Sequence, residues 1–253
     1  AAQCALPAAA SKDPLAFDLR PPAVASTGWR IVNLLTTIAA GTPVKTTVDG
    51  TLAAGWQKAR AAHLIRAALS ACADHELNVS AFTARCIASS GANPYSVVLG
   101  ALCALEGVRH GGATSRVEAL LHELRRAKSL RAALTARLRR GEPVEGFGHP
   151  LYRDGDPRAQ LLLSLLAEHS ARSRELAFLR DTTRAAHEVL GERPTVDFAL
   201  VAVQRALGLP SGSALTLFAI GRTMGWIAHA IEQYATNATI RPRAKYVGVM
   251  PEG

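Results

Sequence analysis

The stretch GFGHPLYRDGDPR, residues 146–158, combines residue types that can bind an anion and move a proton. His149 stands on a turn flanked by glycines, and Arg153 and Arg158 follow it further along the chain. Glycine permits backbone bends and close approaches that other residues do not, and guanidinium groups bind carboxylates and phosphates. The segment therefore predicts either a site for a negatively charged ligand or a charged, solvent-exposed loop.

Two more histidines stand at the boundaries of predicted helices, His75 in ADHELN and His110 in GVRHGGA. Each histidine has two interpretations, because the free amides and carbonyls of a helix end suit a structural role and the ring also suits proton transfer. No HxxH or HExxH spacing places two of them on one face of a helix. We therefore predict no metal site.

Asp197, in PTVDFALVAV, is a single carboxylate that enters an otherwise apolar helix. In one interpretation it is an N-terminal helix residue whose charge is satisfied by free backbone amides. In the other it is a general base in a pocket, with a pKa raised by the same apolar neighbours.

The composition favours helices as the elements that position these residues. Hydrophobic residues make up 49% of the 253 positions and aromatic residues only 5%, with alanine and leucine dominant. This balance suits close helix packing, so the chain is predicted to be all-α. The longest uncharged runs, near 93–105 and 206–221, are too short or too broken to predict a membrane span. The first residues lack the layout of a signal peptide, so we expect a cytoplasmic protein.

Helical periodicity and capping residues divide the chain into segments. An opening linker to about Pro22 is predicted, Ser80 is expected to cap one helix, and Asn93 and Asp156 are each followed by a proline suited to a first helical turn. The predicted helical segments are 28–41, 52–73, a helix after Ser80, 93–107, two amphipathic helices within 112–140, a helix after Asp156, 171–190, 196–207 and 212–236.

The charged residues and cysteines narrow the possible partners. The formal net charge is +9, and the densest basic run, Leu124–Arg140, has leucine and alanine at helical spacing and no aromatic residues. It is interpreted first as a solvated helix face, then as a phosphate-binding surface and last as a nucleic-acid surface. The four cysteines show neither CxxC pairing nor zinc spacing and are predicted to be buried thiols: Cys4, Cys72, Cys86 and Cys103.

Six motifs, in this order, resemble the citrate synthase family, including the 2-methylcitrate synthases: DHELNVSAFTARCIASSGANPYSVV, GVRHGGA, GFGHPLYRDGDPRA, VDF, GRTMGWIAHAIEQ and RPRAKYVG. The resemblance covers about Gly28 to Gly248. It implies an almost wholly helical two-domain fold that works as a homodimer with its active site in a cleft. It also implies a large domain formed by 1–110 and 203–253 and a small inserted domain at 111–202.

The resemblance assigns three catalytic roles. His110 matches the histidine that hydrogen-bonds the thioester carbonyl of the acyl-CoA, and Asp197 matches the base that removes the α-proton. His149 matches the histidine that donates a proton to the ketone oxygen of oxaloacetate. A carboxylate can remove such a weakly acidic proton only if a donor stabilises the developing enolate.

The resemblance also assigns the binding residues. His75, Arg158 and Arg222 match the ligands of oxaloacetate, whose carboxylates suit the planar fork of arginine. Arg241 matches an arginine that reaches into the active site of the partner subunit. Arg153 matches a residue that contacts a phosphate of CoA. The implied partners are acyl-CoA, oxaloacetate and a second copy of the chain, with no nucleic acid and no membrane. No cofactor is expected, because the coenzyme A thioester is a substrate.

Some positions depart from the family pattern. Ala199, Leu200 and Val201 follow VDF, and Thr114 ends the HGGAT segment, which leaves the choice between acetyl-CoA and propionyl-CoA open. By the resemblance, the first residues correspond to a point well inside the usual chain of the family. We therefore expect either that an upstream part is missing from this sequence or that the protein is a shorter variant whose CoA site is incomplete. The alternatives to a condensing enzyme are a citryl-CoA lyase and a non-catalytic ligand-sensing module on the same fold.

Overall fold

The computed structural model describes residues 1–169 and 173–250, and in them the chain forms helices joined by short loops. The helices are α1 (Ala2–Ala10), α2 (Pro21–Ala40), α3 (Val48–Gly55), α4 (Ala62–Cys72), α5 (Val79–Ala88), α6 (Pro94–Leu105), α7 (Gly112–Arg126), α8 (Leu130–Arg139), α9 (Pro157–His169), α10 (Arg174–Leu190), α11 (Val196–Leu207) and α12 (Ser213–Thr236). Two isolated backbone bridges are the extent of β structure in the described residues. The all-α prediction is confirmed.

Helix α12 is the central helix of the main core and packs against α2, α4, α5, α6 and α11. Its Trp226 and Arg222 side chains are fully buried. By length and composition alone α12 could cross a membrane, a possibility that the shorter uncharged runs of the sequence did not reveal. However, 61% of its apolar window is buried inside the protein, as in a core helix.

A second, smaller apolar cluster lies away from the main core. It is formed by residues of α7, α8 and α10: Leu120, Leu124, Leu134, Ala185 and Ala186. These helices all fall within 111–202, the segment that was predicted to form the small domain. The bounds of the two domains stay a prediction.

Several predicted helix boundaries agree with the structure. The Asn93 side chain accepts a hydrogen bond from Ser96 N at the start of α6, with Pro94 as its first residue. α11 has the predicted bounds, and α12 begins at Ser213, one residue from the expected start. The predicted segment 171–190 is observed as α10 from Arg174, and its positions 171 and 172 lie outside the described residues.

Three predictions of local structure were wrong. The opening residues contain α1, because their alanine-rich run has high helix propensity and Leu6 is buried in the core. The segment 52–73 is not continuous but is divided by a 3₁₀ turn at Ala59–Ala61. Asn78 and not Ser80 caps α5, since the Asn78 side chain accepts from the amide of Ala81.

The cysteine prediction holds for one residue and fails for three. Cys72 is buried and burial raises the pKa of its thiol to about 12, but Cys86 is half-buried and Cys4 and Cys103 are exposed. Helical periodicity places them on helices, and packing alone decides which face meets solvent. The basic run 124–140 forms the end of α7 and all of α8, with an exposed basic face.

Candidate active site

Two loops meet where the predicted proton donor and the predicted base lie. The loop after α8 and the loop before α11 pair through their backbones, with Thr195 N donating to Gly146 O at 2.9 Å. His149 follows the first of these loop residues and Asp197 follows the second. Both side chains therefore line one cavity of about 410 Å³.

Gly146 is required for this pairing. Its φ of +85° is in the left-handed region, and an added Cβ would lie 2.8 Å from Val117 Cγ2 and 3.1 Å from Phe198 Cβ. A side chain here would therefore meet both backbone strain and the core. The bend expected from the sequence is present, and its close neighbours belong to the protein's own core.

Asp197 lies in the first turn of α11, enclosed by protein on most sides and partly open to the cavity. Burial raises the pKa of its carboxyl to about 6, against the opposing effect of the Arg158 guanidinium. Near neutral pH this carboxylate is mostly ionised and is a far stronger proton acceptor than an exposed aspartate. Beside it, the buried Thr195 hydroxyl has no hydrogen-bond partner among the described residues and lines the same cavity.

His75 and His149 form a cluster with Tyr152. The Tyr152 hydroxyl lies 2.7 Å from His75 Nε2, and the ring centroids of the two histidines are 5.6 Å apart. Burial lowers the pKa of His75, and the neighbouring Arg158 and Arg222 lower it further. His75 is therefore a neutral ring that can donate or accept a hydrogen bond.

A buried carboxylate holds Arg158 in place. Both oxygens of Asp156 accept from Arg158, Oδ1 from Nε at 2.9 Å and Oδ2 from a terminal nitrogen at 2.7 Å. Asp156 Oδ2 also accepts from Val196 N at 3.0 Å. Burial alone would raise the pKa of Asp156, but the hydrogen bonds from Arg158 outweigh it and hold the pKa below its usual range. Asp156 therefore connects Arg158 to the start of α11, next to Asp197.

Arg222 offers unpaired donors inside the protein. Its side chain is fully buried and its Nε donates to Cys72 O at 2.7 Å, while its two terminal nitrogens have no partner among the described residues. A buried charge without a partner is costly, and a carboxylate is the group that its planar fork pairs with best. Arg222 is therefore the strongest anion-binding group that the structure places near the histidines.

His110 is held by a hydrogen-bond network. His110 Nε2 lies 2.8 Å from Ser80 Oγ, which is also 2.9 Å from Asn78 Oδ1 and accepts from Trp226 Nε1 at 3.3 Å. Burial lowers the pKa of His110 and Arg222 adds to the effect, so the ring is neutral. The Ser80 hydroxyl has one proton: when it donates to Asn78 Oδ1, His110 Nε2 donates to Ser80 Oγ, and when it donates to Nε2 instead, the ring proton of His110 is on Nδ1 and is free to donate elsewhere.

The structure does not place all predicted residues together. His149, Arg158 and Arg222 lie close enough to His75 to lower its pKa. Arg222 also lowers the pKa of His110. The positive charge of Arg158 lowers the pKa of Asp197, which places these two groups near each other as well. The two remaining residues, Arg153 and Arg241, are exposed.

Arg153 lines an open surface cavity of about 480 Å³ together with His149 and Glu192. Arg241 lies in the exposed segment that follows α12, away from the other predicted residues. Its predicted role concerns a second chain and stays a prediction.

Sequence reasoning missed the supporting residues of the site. Tyr152 lies in the segment 146–158, between His149 and Arg153, and this position of an aromatic residue was the signal that could have identified it. Asp156 was identified only as a helix cap, whereas it also orients Arg158. Nothing in the sequence alone indicated that Ser80 or Trp226 would contact His110, because those contacts join separate helices.

Comparisons with known proteins give relatives for most of the chain. The family model described as "Citrate synthase, C-terminal domain" matches residues 23–243. Citrate synthase 2 of Bacillus subtilis is 38% identical over 179 residues, which are 70% of this chain and 48% of that protein. The 2-methylcitrate synthase of Shewanella oneidensis is 34% identical over 183 residues, 71% of this chain and 48% of that protein. The chain thus spans about half the length of the curated relatives it matches.

Solved structures share the helical fold. A citrate synthase from Thermotoga maritima, 27% identical, matches with a TM-score of 0.74 over 96% of this chain and 74% of that one. The citrate synthase of Thermoplasma acidophilum, solved as a ternary complex with carboxymethyl coenzyme A and oxaloacetate, matches with a TM-score of 0.84 at 23% identity over 100% of this chain and 73% of that one. A citryl-CoA lyase from Hydrogenobacter thermophilus matches with a TM-score of 0.68 at 24% identity over 88% of this chain and 85% of that one. The last two likenesses concern the fold alone.

Proposed function

Because this chain belongs to the citrate synthase family, we propose that it carries the catalytic residues of an enzyme that condenses an acyl-CoA with oxaloacetate. One observation carries the proposal. A carboxyl group with a pKa raised to about 6, on Asp197, shares a cavity with His149 and lies close enough to Arg158 to be influenced by it. A base, a proton donor and an anion-binding group are the set that this reaction requires.

In the first step Asp197 removes a proton from the α-carbon of the acyl-CoA, and the electron pair moves onto the thioester oxygen. His110 stabilises that oxygen by donating from Nδ1, which requires the single proton of the Ser80 hydroxyl to turn from Asn78 Oδ1 to His110 Nε2. A neutral imidazole suits this role, and the lowered pKa of His110 supports it. Enolate formation then has a base and a donor acting together.

In the second step the enolate carbon attacks the ketone carbon of oxaloacetate, and His149 gives a proton to the ketone oxygen. His149 Nδ1 accepts from Leu151 N at 3.2 Å, so the proton available for transfer is on Nε2. Water then hydrolyses the thioester, so that acyl-CoA, oxaloacetate and water yield CoA and citrate or 2-methylcitrate.

Oxaloacetate is held through its two carboxylates. Arg222 supplies two unpaired donors and His75 a neutral ring, while Arg158 supplies a guanidinium already oriented by Asp156. Because Asp156 neutralises part of its charge, Arg158 contributes less than Arg222 to the binding of the free anion. Fixed guanidinium groups also align the ketone for attack.

The same proposal includes a homodimer in which Arg241 completes the active site of the partner subunit and Arg153 contacts a phosphate of CoA. Both side chains are exposed, as groups that serve a second chain or a large ligand should be. Mixing Arg241→Ala chains with Asp197→Asn chains tests the shared site, since one site in each mixed dimer would receive two sound residues.

The deciding experiment measures CoA release by the full-length protein with oxaloacetate and either acetyl-CoA or propionyl-CoA. We expect release that depends on oxaloacetate, and the ratio of the two kcat/KM values identifies the acyl substrate. Cleavage of citryl-CoA without condensation would favour a lyase. Binding of oxaloacetate without either reaction would favour a ligand-sensing module.

A further inference from the structure

Arg116, on α7, contacts two loops that carry different parts of the candidate site. Its Nη1 donates to Val108 O, in the turn between α6 and α7, and its Nε lies 2.7 Å from Glu145 Oε1, in the loop after α8. An added Cβ at Gly112 would lie 3.5 Å from the same Nη1, so the guanidinium lies over the start of α7. One side chain therefore joins the two loops.

The contact at Val108 acts on the turn that carries His110. His110 N donates to Gly107 O at 2.9 Å, and Gly111 N donates to Leu105 O at 2.9 Å. The turn is therefore closed by its own backbone hydrogen bonds. Because Val108 lies inside this closed turn, a shift of its carbonyl displaces His110 as well.

The contact at Glu145 acts on the other loop. Glu145 directly precedes Gly146, whose carbonyl accepts from Thr195 N at 2.9 Å, and it lines the cavity that contains Asp197. The side chains of Arg116 and Glu145 are 40% and 20% exposed, so their ion pair is partly shielded from solvent. Each loop keeps its own backbone hydrogen bonds, and Arg116 adds the connection between them.

The charge of Arg116 also reaches the predicted base. Burial raises the pKa of Asp197, and the positive charge of Arg158 opposes that effect. The negative charge of Asp156 raises the pKa further, and Arg116 lowers it more weakly than Arg158 does. Among the described residues, the other titratable side chains that line the cavity are Glu145, Glu192 and His149.

We infer that Arg116 is a positioning residue: it fixes the spacing between the turn that carries His110 and the cavity that contains Asp197. The inference rests on the proposed function in that the donor and the base act on one acyl-CoA. Enolate formation is sensitive to this spacing, because a misplacement of about 1 Å between reacting groups can lower a rate by about 100-fold.

The test compares Arg116→Gln with Arg116→Lys in the full-length protein. Glutamine removes the charge and the link between the loops, so kcat for CoA release should fall about threefold to fivefold, with the oxaloacetate Kd within about twofold of wild type. The acid limb of kcat/KM should move to higher pH, because the pKa of Asp197 rises when a nearby positive charge is lost. Lysine keeps the charge and should restore the limb. It should restore kcat only in part, because one ammonium nitrogen replaces two guanidinium nitrogens.

A double-mutant cycle with Glu145→Gln distinguishes a connection from two independent effects. At a pH well above the pKa of Asp197, the double variant should have a kcat no lower than that of Arg116→Gln alone. Arg125→Gln is the matched control, because Arg125 lies on the same helix and its ion pair with Glu175 has similar exposure, 38% and 23%. It should change neither kcat nor the acid limb.

Additive losses in the double variant, an unmoved acid limb in Arg116→Gln, or an equal loss in Arg125→Gln would overturn the inference. A readout without substrate separates it from the proposed function. The pKa of Asp197, followed by carbon NMR of its carboxyl, should rise in Arg116→Gln, and the His110 Cε1–H resonance should shift in both Arg116→Gln and Glu145→Gln. If the wild type shows no condensation but this pattern holds, only the proposed function fails.

Discussion

The two sides of the candidate site are held in different ways. On the α12 side, His110 and Arg222 are fixed by bonds to the side chain of Ser80 and the carbonyl of Cys72, between helices of the main core. On the loop side, His149 and Asp197 depend on the backbone pairing between Gly146 and Thr195. Side-chain substitutions should therefore disturb the α12 side one group at a time, whereas the loop side should respond as a unit.

The largest effect is expected on the loop side, at the base. Asp197→Asn removes the proton acceptor and should lower kcat for CoA release by roughly 10²–10⁴-fold. Oxaloacetate affinity, measured by calorimetry, should change little, because the anion-binding groups remain. Normal turnover in this variant would mean that Asp197 is only an N-terminal residue of α11.

Asp156→Ala should destabilise the loop side as a unit. It leaves Arg158 without its buried partner and Val196 N without its acceptor, and breaking such a pair costs about 3–5 kcal/mol in the free energy of unfolding. Urea denaturation measures the loss. Asp181→Ala, which breaks an exposed pair with Arg184, is the control and should cost under about 1 kcal/mol.

The Asp156 contribution also has a defined pH dependence. Because its folded-state pKa is below the unfolded value, the stabilisation is present above the unfolded value and is lost as pH falls through the folded one. The difference in stability between wild type and Asp156→Ala should therefore shrink in acid. A difference that is constant from neutral pH to about pH 2 would contradict the ion-pair account.

The pH profile of catalysis should show the titration of Asp197. Its ionised form is the base, so kcat/KM should rise with pH through about 6 and fall roughly tenfold per unit below it. The stability effect has the opposite sign. Since the folded-state pKa is raised, this group stabilises the fold fully below the unfolded value, and that contribution is lost as pH rises through about 6.

The smallest effect is expected on the α12 side. Ser80→Ala removes the hydroxyl that bonds His110, a loss worth about 1 kcal/mol, so kcat should fall roughly fivefold with the KM for oxaloacetate nearly unchanged. Ser164→Ala, at an exposed serine on α9, is the control. A fall in kcat as large as that of Asp197→Asn would show that the two sides are not independent.

The sequence predicted the positions of the helices better than it predicted which faces of those helices are buried. Periodicity and the Asn93–Pro94 pair located α6 and α11 well, because those signals are local. The prediction failed for α1, where an alanine-rich run was interpreted as a linker. It also failed for Cys103, because helical spacing does not say which face of a helix is covered by other helices. Packing between separate helices decides such questions.

The candidate site shows the same division. Motif residues identified His75, His149 and Asp197, and the structure places them near one another. The groups that orient them came only from the three-dimensional contacts, as with Ser80 and Asp156. A hydrogen bond between segments that are far apart in sequence produces no pattern from which it could be predicted.

The face of α12 that carries Arg222, Gly225 and His229 also constrains the length of the chain beside it. It touches the consecutive residues Cys72–Asp74. One inserted residue would lengthen an extended chain by about 3.3–3.6 Å, which exceeds the usual donor–acceptor distance of a hydrogen bond. An insertion or deletion between Cys72 and Ala73 would therefore move Ala73 and Asp74 out of register with α12 while Cys72 keeps its contact with Arg222. Substitutions at the exposed Glu76 and Leu77 leave that register intact, so this loop should tolerate changes of residue type far better than changes of length.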